Sequence, residues 1–154
     1  MRDVRFKSVH RGGELDLHRH HLLATWAADC AEHVLSLFAE HCPHDDRPRR
    51  AIETARAWSR GEATVGQARA AAIAAHAAAR EAAKHAAACA ARAAGHAAGT
   101  THMADHAPQA AAYAVKAVQA ACGFDNVTVT EGERAWQWER LPVEIRALMG
   151  SVDQ

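Results

Sequence analysis

An all-α bundle of about six helices is the fold this chain predicts, and three observations predict it. Twenty of the 31 residues from Ala68 to Ala98 are alanine, the best helix former because its side chain loses no entropy on entering a helix. The 43 residues from Val65 to Ala107 contain no proline. Leu22, Leu23, Trp26, Cys30, Val34, Leu37 and Phe38 recur mainly at spacings of three and four, which makes one apolar helix stripe. Each alanine buries little more than a methyl at about 25 cal/mol per Å². Larger residues must therefore supply much of the core; Trp26, Trp58, Trp136 and Trp138 are expected to matter for packing, with Trp26 and Trp58 in or beside one core.

The elements follow in order. Residues 1–14 lack periodicity and end in Gly12-Gly13, so a mobile N-terminal arm is expected, followed by a single helical domain over 15–150. The apolar stripe sets a first helix from about Leu17 to His41, closed by Pro43. Asp45 and Asp46 before Arg47-Pro48 mark a second helix start, with its end at Arg60 and Gly61. Thr64-Val65-Gly66-Gln67 fits a capping box, so a third helix begins at Val65. Continued to Ala107 it would reach about 64 Å at 1.5 Å per residue, too long for a domain of this size. A break at Arg80 to Lys84 is expected, giving two antiparallel helices; Gly95 to Thr101 is the alternative. A further helix starts at Pro108 and stops at Cys122-Gly123. Residues 124–132 are rich in β-branched side chains and read as extended. Pro142 opens a last helix through Ile145, Leu148 and Met149 to Gly150. No fixed-period repeat is present.

Charge and composition narrow the function classes. Lys plus Arg equal Asp plus Glu, 18 against 18, so no overall basic field draws nucleic acid. No run of 18 apolar, uncharged residues exists to cross a membrane. The N-terminus carries Arg2, Arg5 and Lys7 with no apolar run behind them, unlike an export signal. Cys30, Cys42, Cys89 and Cys122 form no CxxC pair. Reduced thiols and a cytoplasmic location are expected. Oligomeric state is open, a homodimer included.

The polar residues of the alanine tract fall in a row. His85, Cys89, Arg92 and His96, spaced four, three and four, share one helix face; the bland reading is a solvated face. His85 with Cys89 suits zinc or copper by ligand softness, with Cys30 and His33 as one source of further ligands. His102 and His106, at i and i+4, can hold one divalent ion between two imidazoles, although Met103 after His102 rules out the HExxH pattern. Asp29 stands four before His33 and could orient it for general base work, or form an ordinary helix pair. His76 follows Ile73 by three on the expected apolar face. Asp46, Arg47, Arg49 and Arg50 crowd a helix start; they reach carboxylates of a partner or face water. No phosphate loop and no GxSxG are present.

The sharpest expectation is that His96, His102 and His106 converge with Asp29 or His76 at one internal polar site, alanine leaving room for a ligand. Straight-helix geometry opposes it: six residues separate His96 from His102 by about 240° of rotation, and ten leave His106 about 80° off His96. A bend at Gly95 or Gly99 would have to help.

Several stretches resemble one bacterial family. They are Trp26-Ala27-Ala28-Asp29-Cys30-Ala31-Glu32, Asp46-Arg47-Pro48-Arg49 leading to Ala57-Trp58, Ala75-His76-Ala77-Ala78-Ala79-Arg80, and Ala91-Arg92-Ala93-Ala94-Gly95-His96. Thr101-His102-Met103-Ala104-Asp105-His106, running to Ala112-Tyr113-Ala114, and Trp136-Gln137 before Leu141-Pro142 complete the set. Over about Leu22 to Met149 the chain is similar to the Imm-5-like family of immunity proteins. The resemblance implies neutralisation of a toxin by direct binding and carries no catalytic residues across. Two readings follow. One is a helical module that binds a cognate toxin protein. The other is a small-molecule or metal site inside the bundle, enzymatic or not, around Asp29, His76, His96, His102 and His106.

Overall fold

Several helix starts in this protein are set by side chains that accept orphan backbone N–H groups. The computed structural model describes residues 3–149, folded as an all-α single domain. Asp16 caps α1 (Leu17–His33), its carboxylate accepting from the Arg19 N–H at 2.8 Å. At the start of α3 (Arg47–Ser59) the cap comes from Asp45, which accepts from the Arg47 N–H at 3.1 Å, while Asp46 makes no cap bond. Thr64 and Gln67 close the expected capping box on α4 (Val65–Glu81), at 3.1 and 2.8 Å. The chain breaks at 82–84, as the length argument requires, and resumes as α5 (His85–Gly99). A second turn leads to α6 (His106–Cys122), which begins two residues before Pro108 and ends at Gly123, φ 95°. Two further helices, α7 (Val127–Arg140) and α8 (Val143–Met149), complete the described chain.

Two expectations are corrected. The first helix does not run to His41: α1 stops at His33, where Val34 takes φ −111° and ψ 3°, and a single turn, α2 (Ser36–Ala39), follows. Val34, Leu35 and Phe38 are all buried across the break, so the apolar spacing continues while the helical hydrogen bonding does not. Residues 127–132 of the segment read as extended belong to a helix. Asn126 caps α7 by accepting from the Val129 N–H at 3.2 Å, and the buried face of α7 is polar: Thr130, Glu133 and Gln137. An apolar-periodicity argument cannot see that face. Residues 3–14, the described part of the expected N-terminal arm, carry two 3-10 turns at Val4–Phe6 and Val9–Arg11, and Ser8 bridges to Leu15. Phe6 and Leu15 are buried in the core. Met1, Arg2 and the stop expected at Gly150 lie outside the described residues.

Helix α5 is the centre, with α1, α3, α4 and α6 packed on it. Ala87, Ala90, Ala91, Ala93, Ala94, Ala97 and Ala98 are all fully buried there. Bulk comes from elsewhere, notably Leu23, Trp26, Phe38, Ile52, Leu141 and Ile145. Trp58 stands beside this core, half-buried, with His20 and His21 each edge-on to it at 4.8 Å. A polar lock joins α1, α6 and α7. The Trp26 indole N–H donates to the Gln137 carbonyl at 2.8 Å, and the Gln137 amide donates to the Ala111 carbonyl at 2.9 Å. Glu133 pairs with His33 at 2.8 Å, and the His33 ring stacks on Trp136 at 3.6 Å. Among the described residues no helix is long and apolar enough to cross a membrane.

Trp26 combines burial with a hydrogen bond to the backbone of α7. Trp26→Ala is expected to lower stability by about 3–5 kcal/mol, and Trp26→Phe by about 1–2 kcal/mol through the orphaned carbonyl. Urea unfolding measures both; a loss below about 1 kcal/mol for Trp26→Ala would remove Trp26 from the core.

Candidate functional site

Two glycines on α5 create seats for two imidazoles. A Cβ placed at Gly95 would lie 2.7 Å from Cε1 and Nε2 of His76, so the His76 ring of α4 rests on bare backbone of α5. A Cβ at Gly99 would lie 3.2 Å from Cγ of His106, at the start of α6. His96 stands between them. Its ring meets His76 edge-on at 4.9 Å and stacks on Tyr113 at 5.1 Å, and its Nδ1 is 2.8 Å from Nδ1 of His106. His102 follows at 5.8 Å from His106. Four imidazoles thus form a row between α4, α5 and α6.

The straight-helix objection fails because α5 ends at Gly99. The intervening turn is held by the Thr100 hydroxyl, which donates to the His96 carbonyl, and the Thr101 hydroxyl, which donates to the Ala98 carbonyl, each at 2.9 Å. His102 lies in this turn and His106 opens α6, so the two are not i and i+4 on one helix. The expected bend is therefore a full helix end.

Burial and nearby charges favour the neutral form of His96 and His76. His96 is pushed down to about 4, first by burial, then by the charges of His106, His76, Arg92 and Lys116. His76 is also lowered, by burial first and by Arg92 and His106 next. A contact between two Nδ1 atoms requires one to donate and the other to accept. His96 and His106 therefore hold a single proton between these two atoms. His76 Nδ1 is buried with no hydrogen-bond partner.

The other candidates are spread around the molecule. Asp29 is not in the row and does not orient His33; it pairs with Arg56 of α3 at 2.8 Å, and His33 takes Glu133 of α7 instead. Arg47 is held by Asp45 at 2.7 Å and by Glu81, tying the start of α3 to the end of α4. Asp46 pairs with Arg50 at 2.7 Å on the surface, and Arg49 is exposed. Ile73 is 67% exposed, so His76 is not on an apolar stripe. The Cys89 thiol lies 3.7 Å from His85 Nε2, and both line a recess with Arg92. No three His, Cys, Asp or Glu side chains among the described residues are arranged to hold a metal ion. The zinc or copper expectation therefore rests on donor pairs alone, and no chemistry is derived through a metal. Sequence reasoning missed His20, buried on α1, whose Nε2 lies 2.6 Å from the Thr100 carbonyl. Its only signal was its position three residues before Leu23, in line with the apolar stripe.

Two outcomes test this geometry. Gly95→Ala is expected to destabilise the protein by about 1–3 kcal/mol through overpacking against His76. In a His76→Ala background the same change should stabilise by about 0.5–1 kcal/mol, the ordinary helix preference for alanine. A loss of equal size in both backgrounds would show that His76 does not occupy the glycine seat. The second outcome concerns pH. His96 has a folded value below its unfolded value near 6.5, so the unfolded chain binds more protons between these values. Its contribution is intact above about 6.5 and is lost as pH falls towards about 4. The urea midpoint should fall over that window, and fall less in His96→Gln; equal falls would assign the titration to other groups.

Comparison with known proteins completes the description. A family model described as "Imm-5 like putative immunity protein" matches residues 13–144. No curated protein and no solved structure matches the chain. The protein belongs to the Imm-5-like immunity protein family.

Proposed function

We propose that this protein neutralises a cognate toxin by binding it directly, and that the toxin seats on the face made by α6, α7 and α8. Family membership supports the general role. The observation that carries the location is a concentration of exposed apolar side chains: Phe124, Val127, Trp138 and Val143 are 66, 65, 42 and 75% exposed within one short stretch. Soluble proteins rarely leave such groups together without a partner. Trp138 borders a groove of about 770 Å³, with Ala111, Val115 and Met149 on its apolar lining and Lys116, Glu131 and Arg134 among its polar residues. An apolar centre with a polar rim, anchored by tryptophan, is the anatomy of a protein interface. The compartment we propose is the cytoplasm, in keeping with four free thiols.

The row of imidazoles favours a second reading, a small-molecule site inside the bundle. The bound species would copurify and appear in native mass spectrometry, which a pure binding module would not require.

A toxin encoded by a neighbouring gene would be the partner to test, by co-expression and by titration. Trp138→Ala should raise the dissociation constant about 30-fold, as for a hot-spot residue worth about 2 kcal/mol, with the fold retained. Protection from the toxin without a physical complex, or an unchanged dissociation constant, would remove this face as the binding site. A concentration-dependent dimer lost in the same variant would assign the face to self-association instead.

A further inference from the structure

A recess of about 570 Å³ lies between α5 and α6, lined among others by His85, Cys89, Arg92, Tyr113, Lys116 and Phe124. Its charge is one-sided. Arg92 and Lys116 contribute two fixed positive charges, and no carboxylate lines the space, although the whole chain is neutral at 18 cations to 18 anions. Seven of the thirteen other described arginines have a counter-charge: Arg5, Arg19, Arg47, Arg50, Arg56, Arg60 and Arg134 each pair with a carboxylate. Arg92 is half-buried and makes no ion pair or hydrogen bond among the described residues. Among the described residues the Lys116 ammonium finds only the Tyr113 ring, at 4.6 Å. A partly desolvated guanidinium without an anion is costly, and an oxyanion entering the recess would offset that cost.

The fields of the two cations converge. Both draw the Cys89 thiol towards its charged form, although burial dominates and holds it up. Both also disfavour the charged form of His96, one helical turn further on. The space falls within the range of small-molecule pockets, about 300–1,000 Å³. A guanidinium fork reads a planar pair of oxygens, and an ammonium adds a point charge; together they match a dianion. Tyr113 and Phe124 add two aromatic rings to the lining, which suits a ligand with a flat body beside its phosphate.

We propose that the α5–α6 recess is an oxyanion site that takes a phosphate-bearing small molecule, with Arg92 and Lys116 as its ligands. The recess adjoins the toxin face, sharing Lys116 with the groove and Phe124 with the exposed apolar set, but Trp138 does not line it and its test does not depend on the toxin reading.

Calorimetric titration of the full chain with inorganic phosphate and with adenosine monophosphate, at low ionic strength, tests it. Saturable one-to-one binding of at least one probe is expected, weakened at least tenfold by Arg92→Gln and by Lys116→Gln. Arg92→Lys should fall between, keeping the charge and losing the fork. Arg49→Gln, which removes an exposed arginine of α3, should leave binding unchanged. Equal affinity for the two probes would mean that the phosphate alone is read, and tighter binding of the nucleotide that the aromatic rings contribute. Circular dichroism checks that each variant folds. No binding of either probe, equal binding by Arg92→Gln, equal weakening by Arg49→Gln, or binding of a glutamate-rich peptide with no binding of phosphate would each overturn the proposal.

Discussion

Helix α5 is enclosed by α1, α3, α4 and α6, and they can surround it because its buried surface is almost entirely methyl groups and bare backbone. Close-packed interiors tolerate few voids and little excess volume. Seven alanines of α5 have no exposed surface at all, so even a small added side chain there must displace a neighbouring helix. Small residues bury little area, and the fold compensates with bulky groups from outside the centre. Leu23, Trp26, Phe38 and Ile52 supply that volume, and the Trp26–Gln137–Ala111 hydrogen bonds hold α7 in place where its own buried face is polar.

The same bareness makes the polar interior. Imidazoles can lie against α5 only where it lacks even a Cβ, at Gly95 and Gly99. His76 and His106 take those places, and His96 bridges them. With no acidic residue joined to His96 or His76 by an ion pair among the described residues, and two cations on the neighbouring recess, the neutral imidazole is favoured at both.

Helix α6 links the interior to the surface. One side of it carries Tyr113 and Lys116 towards the recess on α5, and another carries Ala111, Ala112 and Val115 towards the groove beside Trp138. The exposed apolar residues of 124–143 lie next to that groove in sequence. The binding role proposed above needs such a surface, whereas the row of histidines answers to a separate constraint inside the bundle.

What the sequence by itself determined is local. The alanine tract, the absence of proline from Val65 to Ala107 and the Thr64–Gln67 capping box specify α4 and α5, because propensity and capping act over a few residues. The length of that tract required the break before His85, and the stretches around Trp26, Arg92 and His102 carried the family resemblance. The tertiary structure decided what depends on residues far apart in the chain. Helix α7 was illegible because Thr130, Glu133 and Gln137 bury by hydrogen bonding and ion pairing, which leaves no apolar period. The break after His33 was illegible because Val34, Leu35 and Phe38 keep the stripe on both sides of it. His33 meets Glu133 instead of Asp29, and His76 and His106 meet at His96, only because α5 ends at Gly99 and the chain turns back. A helical-wheel count holds only while the helix continues, and where it stops is settled by what packs against it.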